Sequence, residues 1–315
     1  GASPFVNHAD AEVLCKHNPP YGFKPICRLK PAIGNATQAL EMLRRFRDPP
    51  PCRYRSCAVV GASGSLLGAR LGAEIDAHDA VIRVNLAPDG RMAAGYKDAP
   101  HSHVDTWLAD VGGRTTWRVI TMEIYGYLRH YARYWLAPPV GKGAHPTMHG
   151  IPQEPYLAVS CHQPSSAMGR CRIDRLAQTF AHPAAASFLI SPLLMLEQKR
   201  RYFHGVTNQK PPSTGMTAVA LAHKMCDEVH LYGFGNGSCG DVCYHYYDCI
   251  PDRKAVKQDE FLSNTAASYG YHNFSAQALA LRRMHREGDI HAHWGACQRS
   301  FGDPADGVYR TAGGS

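Results

Sequence analysis

The stretch from Cys57 to Pro88, CAVVGASGSLLGARLGAEIDAHDAVIRVNLAP, reads as a strand, a glycine turn, a helix and a second strand, and that order commits the chain to an α/β fold. Ala58 to Val60 form a short apolar run. Gly61, Ser63 and Gly64 then permit a sharp turn that points amide N–H groups outward, and Leu66 to Gly72 is expected to begin a helix whose positive end faces an anion. Such a turn can cradle phosphate without a lysine. The spacing is neither the dinucleotide fingerprint G-x-G-x-x-G nor a P-loop, since no Gly-Lys-Ser/Thr follows. Taken alone, the block also fits a glycine turn that merely packs helix on strand.

Further elements extend the alternation. Val81 to Val84, Thr116 to Met122 and Phe188 to Ile190 read as strands. Pro212-Ser213-Thr214-Gly215 opens a helix through Lys224, and Val229 to Gly235 supplies a strand ending in a glycine turn, so a second helix N-terminus points at the ligand edge of the sheet. A last helix is expected from Ser275 to Arg286, stopped by Gly288. The run from Ala137 to Gln163, heavy in Pro, Gly and His, reads as a long surface loop, either closing over a ligand or decorating the fold. Residues 1–50 carry Asn18-Pro19-Pro20 and Pro49-Pro50-Pro51 around a helix expected over Gln38 to Arg47, and form a stem or wrapping segment. Residues 51–315 are then one catalytic domain, which 44% hydrophobic residues suffice to fill.

The formal charge of +8 is moderate, and Lys and Arg are scattered except at Lys199 to Tyr202 and Arg282 to Arg286. This suits an anionic small ligand rather than a nucleic-acid track. Eleven cysteines without a zinc-type C-x-x-C pair point to an oxidising compartment, and their odd number leaves at least one outside intramolecular pairs. Asn-x-Ser/Thr triplets at Asn35, Asn236 and Asn273 agree with a secretory route. No apolar run reaches the roughly 18 residues of a membrane span, and Pro192 interrupts the best candidate, Ala184 to Leu196.

Two of the eighteen histidines stand out. His272 immediately precedes the last helix, where the positive dipole end disfavours imidazolium and keeps the ring in the neutral form a general base needs. His245, in His245-Tyr246-Tyr247-Asp248, is placed in a loop where it can donate to a phosphate oxygen and offset charge growing on a leaving group. The tyrosine pair either lines a ligand site or packs. A serine hydrolase with Ser63 as nucleophile would need glycine at Ser65 to complete G-x-S-x-G.

In order, these blocks resemble the four sialyl motifs of the eukaryotic sialyltransferase family, which uses CMP-linked sugars. Cys57 to about Ala99 resembles the long motif, and Pro212-Ser213-Thr214-Gly215 through Cys226-Asp227-Glu228-Val229 to Tyr232-Gly233-Phe234-Gly235 the short one. His245-Tyr246-Tyr247-Asp248 is similar to the third, and His272 to the histidine of the very small motif. The resemblance implies a Rossmann-like, three-layer α/β/α glycosyltransferase fold, a GT-A variant with a mostly parallel central sheet. It implies a disulfide between Cys57 and Cys226. It further implies nucleotide contact at Asn85, and a donor-holding turn at Ser213, Thr214 and Gly215 beside Gly61 and Ser63. His245 would meet the CMP phosphate with Tyr246 lining the site, and His272 would be the catalytic base; Asp79 and Arg83 would hold the long-motif loop rather than touch substrate.

The implied reaction is an inverting, metal-independent transfer of sialic acid from CMP-sialic acid to a hydroxyl of a galactose-containing glycan, with no cofactor; the chain contains no Asp-x-Asp tripeptide. Partners are a CMP-sugar donor and a glycan acceptor, without nucleic acid, and the expected setting is the Golgi lumen, as a type II membrane protein anchored through an N-terminal segment absent from this sequence. Two positions depart from the family pattern: Ala62 where asparagine is usual, and Gln277 where glutamate is. They leave open transfer of another CMP-linked acidic sugar such as Kdo, or an inactive glycan-binding homologue.

Overall fold

Cys57, Ala58, Val59 and Val60 are all fully buried, Cys57 and Val59 in one apolar cluster and Ala58 and Val60 in another. An apolar run of this kind covers a strand on both faces, as in the middle of a parallel sheet. The computed structural model describes residues 4–5, 53–85, 87–90, 104–121, 156–160, 186–202, 212–234, 245–246, 272 and 274–294. The strands among them are β1 (Tyr54–Val60), β2 (Ala80–Val84), β3 (Trp117–Thr121), β4 (Tyr156–Ser160), β5 (Ala186–Leu189), β6 (Cys226–Tyr232) and β7 (His291–His293). They form one sheet in the order β5-β4-β3-β2-β1-β6-β7, with every neighbouring pair parallel.

Helices cover both faces. On one side α3 (Pro192–Tyr202), α4 (Thr214–Met225) and α5 (Phe274–Arg286) share a core with Cys57, Val59, Ile82 and Trp117. Alanines 218, 220 and 222 keep α4 thin enough to lie close against β1, β2, β3 and β6. The other side carries α1 (Gly72–Ala77) and α2 (Val104–Val111) over Ala58, Val60 and Val81. The result is the expected three-layer α/β/α arrangement. Phe5, within the segment read as a stem, is buried on the first side, stacked on Trp117 at 5.3 Å, and bridges to Ile190.

The order of the strands fixes where a ligand can sit. From β1 the chain steps outward through β2 to β5, then returns to lay β6 on the opposite edge of β1. Strand order therefore reverses between β1 and β6, and the crevice beyond their C-terminal ends is the binding position of open parallel sheets. Because α4 and α5 each run back into parallel strands, their N-termini open onto that same edge. A disulfide between Cys57 of β1 and Cys226 at the start of β6 ties the two sides, with Cα atoms 5.9 Å apart.

Several elements differ from the sequence expectation. The helix expected from Leu66 begins only at Gly72, after a 3-10 turn at Gly64–Leu66. Between them Gly68 and Arg70 take φ of 75° and 54°, and the Asp110 carboxylate accepts from both of their N–H groups, which holds the segment out of helix. The run read as a loop, Ala137 to Gln163, contains the interior strand β4, paired on both edges. The helices α2 and α3 and the short strand β7 are additional. The expected helix over Gln38 to Arg47, the triplets at Asn35, Asn236 and Asn273, and Tyr247 and Asp248 lie outside the described residues. Among the described residues no helix is long and apolar enough to cross a membrane.

The β6–β7 edge carries a chain of imidazoles. Tyr232 donates to Glu74 at 2.8 Å, so His78 Nε2–H, 2.9 Å away, donates to the phenol oxygen. His293 Nδ1 lies 3.3 Å from Glu74, which leaves its Nε2 to accept from His230 Nδ1–H at 3.1 Å. This pattern requires a neutral His293. Burial, and after it the neighbouring histidines, pushes His230 down to about 4 from an ordinary 6.5; burial is also the largest cause lowering His78 and His293. A depressed folded value means that the unfolded chain takes up protons first on acidification. Stability from this cluster is therefore full above pH 6.5 and is lost as pH falls toward about 4. The thermal midpoint is expected to drop across that window, with His230 contributing the largest share. His230→Gln should flatten the profile; equal slopes in the variant and the parent would contradict this account.

Candidate functional site

At the reversal point, the turn after β1 is laced to the end of β6. Gly61 N–H donates to the Tyr232 carbonyl at 2.7 Å and Ser63 N–H to the Gly233 carbonyl at 3.1 Å. A Cβ on Gly61 would stand 2.4 Å from the Gly233 oxygen, and Gly233 itself has φ of 67°. Gly61 is thus required by the close approach of two backbones, and Gly233 by its left-handed φ, where an added Cβ would also stand 2.4 Å from Leu66 Cδ1. The packing reading of this turn and the ligand reading are compatible, since the same contacts fix the direction of the remaining amides. Ser63 is buried, and its Oγ accepts from Ser65 N–H at 3.2 Å, capping the 3-10 turn.

Tyr246 holds a third segment against this turn. Its N–H donates to the Ala62 carbonyl at 2.9 Å, its ring packs edge-on against Trp107, and its hydroxyl donates to the Pro88 carbonyl. The side chain is fully buried, and burial pushes its phenol well above the ordinary range. Tyr246 thus braces the site from beneath. His245 next to it is partly exposed at the surface of the same segment.

Asn85 directly follows β2 and lies in the left-handed region, with φ of 47°. Its N–H donates to the Val119 carbonyl at 2.8 Å, and its own carbonyl, with that of Ala87, accepts from the buried Arg118 guanidinium at 2.8 Å. The main chain is pinned while the side-chain Oδ1 is buried without a partner among the described residues. A buried orphan acceptor at the crevice is a position for a ligand N–H or O–H. Arg83 is also fully buried and donates to the carbonyls of Val111, Gly112 and Arg114, while Asp79 accepts from the Arg55 and Ser56 amides. As expected, both serve the scaffold.

The N-terminus of α4 completes the near side. Ser213 caps the helix, its Oγ accepting from Met216 N–H at 3.3 Å. Thr214 is buried, and Gly215 lies under Phe234, whose ring would be 3.0 Å from an added Cβ. Gln277, on the packed side of α5, reaches across to Ser213: its Oε1 accepts from Ser213 N–H at 3.2 Å and from Ser213 Oγ–H at 2.5 Å. His272, partly exposed, precedes the first residue of α5 by two positions.

The sheet edge therefore collects Gly61, Ser63, Asn85, Ser213, Thr214, Gly215, His245, Tyr246 and His272 from segments far apart in sequence. Sequence reasoning did not single out Trp107, Phe234 or Arg118 as parts of this assembly. A signal existed for Arg118, a cation inside the apolar run Trp117 to Ile120, and for Phe234, an aromatic ring between two glycines of a turn.

Comparison with known proteins gives the same grouping. The family model described as glycosyltransferase family 29 (sialyltransferase) matches residues 6–289. The chain is 30% identical over 219 residues to CMP-N-acetylneuraminate-beta-galactosamide-alpha-2,3-sialyltransferase 1 of Pan troglodytes, covering 68% of this chain and 55% of that protein. It is 32% identical over 214 residues to sialyltransferase-like protein 2 of Oryza sativa subsp. indica, covering 61% and 48%. With alpha-2,8-sialyltransferase 8E of Homo sapiens it shares 25% identity over 264 residues, 82% of this chain and 61% of the relative. The chain thus spans about half the length of the curated relatives it matches. From the ordered motifs, their meeting at one sheet edge and this match over nearly its whole length, the chain belongs to glycosyltransferase family 29, the sialyltransferases.

Proposed function

We propose that this chain is a glycosyltransferase that moves sialic acid from a CMP-linked donor to a glycan hydroxyl by an inverting displacement, without a metal or other cofactor. The observation that carries the reading is the convergence at the β1–β6 reversal of the Gly61 turn, the orphan Asn85 oxygen and the N-termini of α4 and α5. Such an edge offers donors to anionic oxygens and an acceptor to a nucleotide amine or hydroxyl. Asn85 contacts the nucleotide, and Thr214 and Gly215 at the N-terminus of α4 hold the phosphate or carboxylate of the donor. His272 takes the hydrogen of the acceptor hydroxyl as its oxygen forms a bond to the anomeric carbon. The bond from that carbon to the phosphate oxygen breaks in the same step, and CMP departs with the electron pair. His245 donates to the departing phosphate and offsets its charge.

The relatives' names span alpha-2,3 and alpha-2,8 linkages and a plant sialyltransferase-like protein, so they support the class of donor and leave acceptor and linkage to experiment. A Golgi-lumenal setting with an N-terminal anchor belongs to the same proposal; it suits the disulfide, which persists in oxidising compartments. The test is release of CMP from CMP-sialic acid and from CMP-Kdo, each with and without a galactose-ended acceptor. Acceptor-dependent release from CMP-sialic acid is the expected result. Release from CMP-Kdo alone would assign a different acidic sugar, and none from either donor would leave a glycan-binding homologue.

A further inference from the structure

We infer that Ser213 is a positioning residue whose donors are committed to Gln277, so that this pair couples the His272 helix to the donor turn while Thr214 and Gly215 meet the anion. The inference rests on the proposed transfer of a CMP-linked sugar.

The argument starts from hydrogen-bond supply. An anionic phosphate or carboxylate accepts and cannot donate, so only N–H and O–H groups of the turn can hold it. Ser213 has one of each, and both point to the same atom, Gln277 Oε1, at 3.2 Å from N and 2.5 Å from Oγ. The orientation of the amide is set by chemistry. Ser213 N–H is an obligate donor, so the atom facing it must be the amide oxygen, and the hydroxyl beside that oxygen must then donate as well. The Ser213 oxygen meanwhile accepts from Met216 N–H. Nothing on Ser213 is left to give to an anion.

The far side of the bond explains why such a commitment is useful. Gln277 is buried on α5, five residues after His272 in the chain. Its two bonds to Ser213 tie the beginning of α5 to the cap of α4. The nucleotide contacts stand on β1, β2 and α4, whereas the base stands at the start of α5. The Gln277–Ser213 clamp therefore sets the distance between base and donor without touching either. A displacement of about 1 Å between reacting groups costs on the order of 100-fold in rate.

The experiment measures CMP affinity by calorimetry and transfer kinetics for the parent chain and for Ser213→Ala, Gln277→Ala and Gln277→Glu. Ser213→Ala is expected to change CMP affinity less than about 3-fold, because no donor to the phosphate is removed. Gln277→Ala should lower kcat roughly 10- to 100-fold with CMP affinity within about 3-fold, and Gln277→Glu, which keeps an acceptor at the same reach, should recover most of that loss. Weakening of CMP by more than about 10-fold in Ser213→Ala would place its hydroxyl on the ligand and overturn the inference. Parallel loss of affinity and kcat in Gln277→Ala, or no recovery in Gln277→Glu, would overturn it too. A parent chain that fails to bind CMP would instead bring down the proposed function, and the inference with it.

Discussion

Replacing His272 with alanine is expected to lower sugar transfer by about 10²- to 10⁴-fold, the range for a lost general base, with little change in CMP affinity. The two effects separate because of where the residues stand. Gly61 and Asn85 directly follow β1 and β2 and Gly215 lies in α4, and among the described residues their contacts run to β3, β6 and the Gly233 turn rather than to α5. Steady-state transfer rates and calorimetric titration with CMP check both halves. Retained turnover would remove His272 from the reaction, and joint loss of binding would move it from proton transfer to nucleotide recognition.

Removing the Cys57–Cys226 bridge should have the largest effect on stability. The bridge closes a loop over a sequence separation of 169, and the chain-entropy relation puts the stabilisation from closing a loop of this size near 5 kcal/mol, with about 2–5 kcal/mol observed when natural bridges are removed. Both cysteines are buried beside Val229 and Met225, so a paired Cys57→Ala, Cys226→Ala variant also loses packing. Thermal or denaturant unfolding of the double variant is expected to show that loss. A midpoint matching the parent would mean that β1 and β6 hold each other by packing and ladder hydrogen bonds alone.

The strands that place the site were the legible ones, for a physical reason. β1 is buried on both faces from Cys57 to Val60 in the middle of the sheet, so it reads as an apolar run whatever its neighbours do. β6, although Asp227 and Glu228 are exposed, is marked by buried Val229, Leu231 and Tyr232 leading into the Gly233 turn. β4 is different: Tyr156 to Ser160 lies between Pro155 and the polar Cys161-His162-Gln163-Pro164, and its strand state comes from pairing with β3 and β5. His291-Ala292-His293 has still less local preference, and exists as β7 through its ladder with β6. Local rules also extended a helix through Leu66 to Gly72, where the distant Asp110 carboxylate overrules them. In the site the same division holds. Gly61, Ser213 and the two histidines were visible as motifs. The bracing by Arg118, the burial of Tyr246 and the bond from Gln277 to Ser213 depend on contacts between segments that sequence order keeps apart.

The adjacency of β1 and β6 also sets a schedule for biosynthesis. At 5–20 residues per second, the 169 positions separating their cysteines take roughly 10–30 s to leave the ribosome. Throughout that interval the earlier strand has one edge of unpaired N–H and C=O groups, although β2 can already pair with the opposite one. Chaperones and thiol oxidoreductases met during translation are therefore expected to govern the yield of active material more strongly than the small differences in final stability produced by surface substitutions.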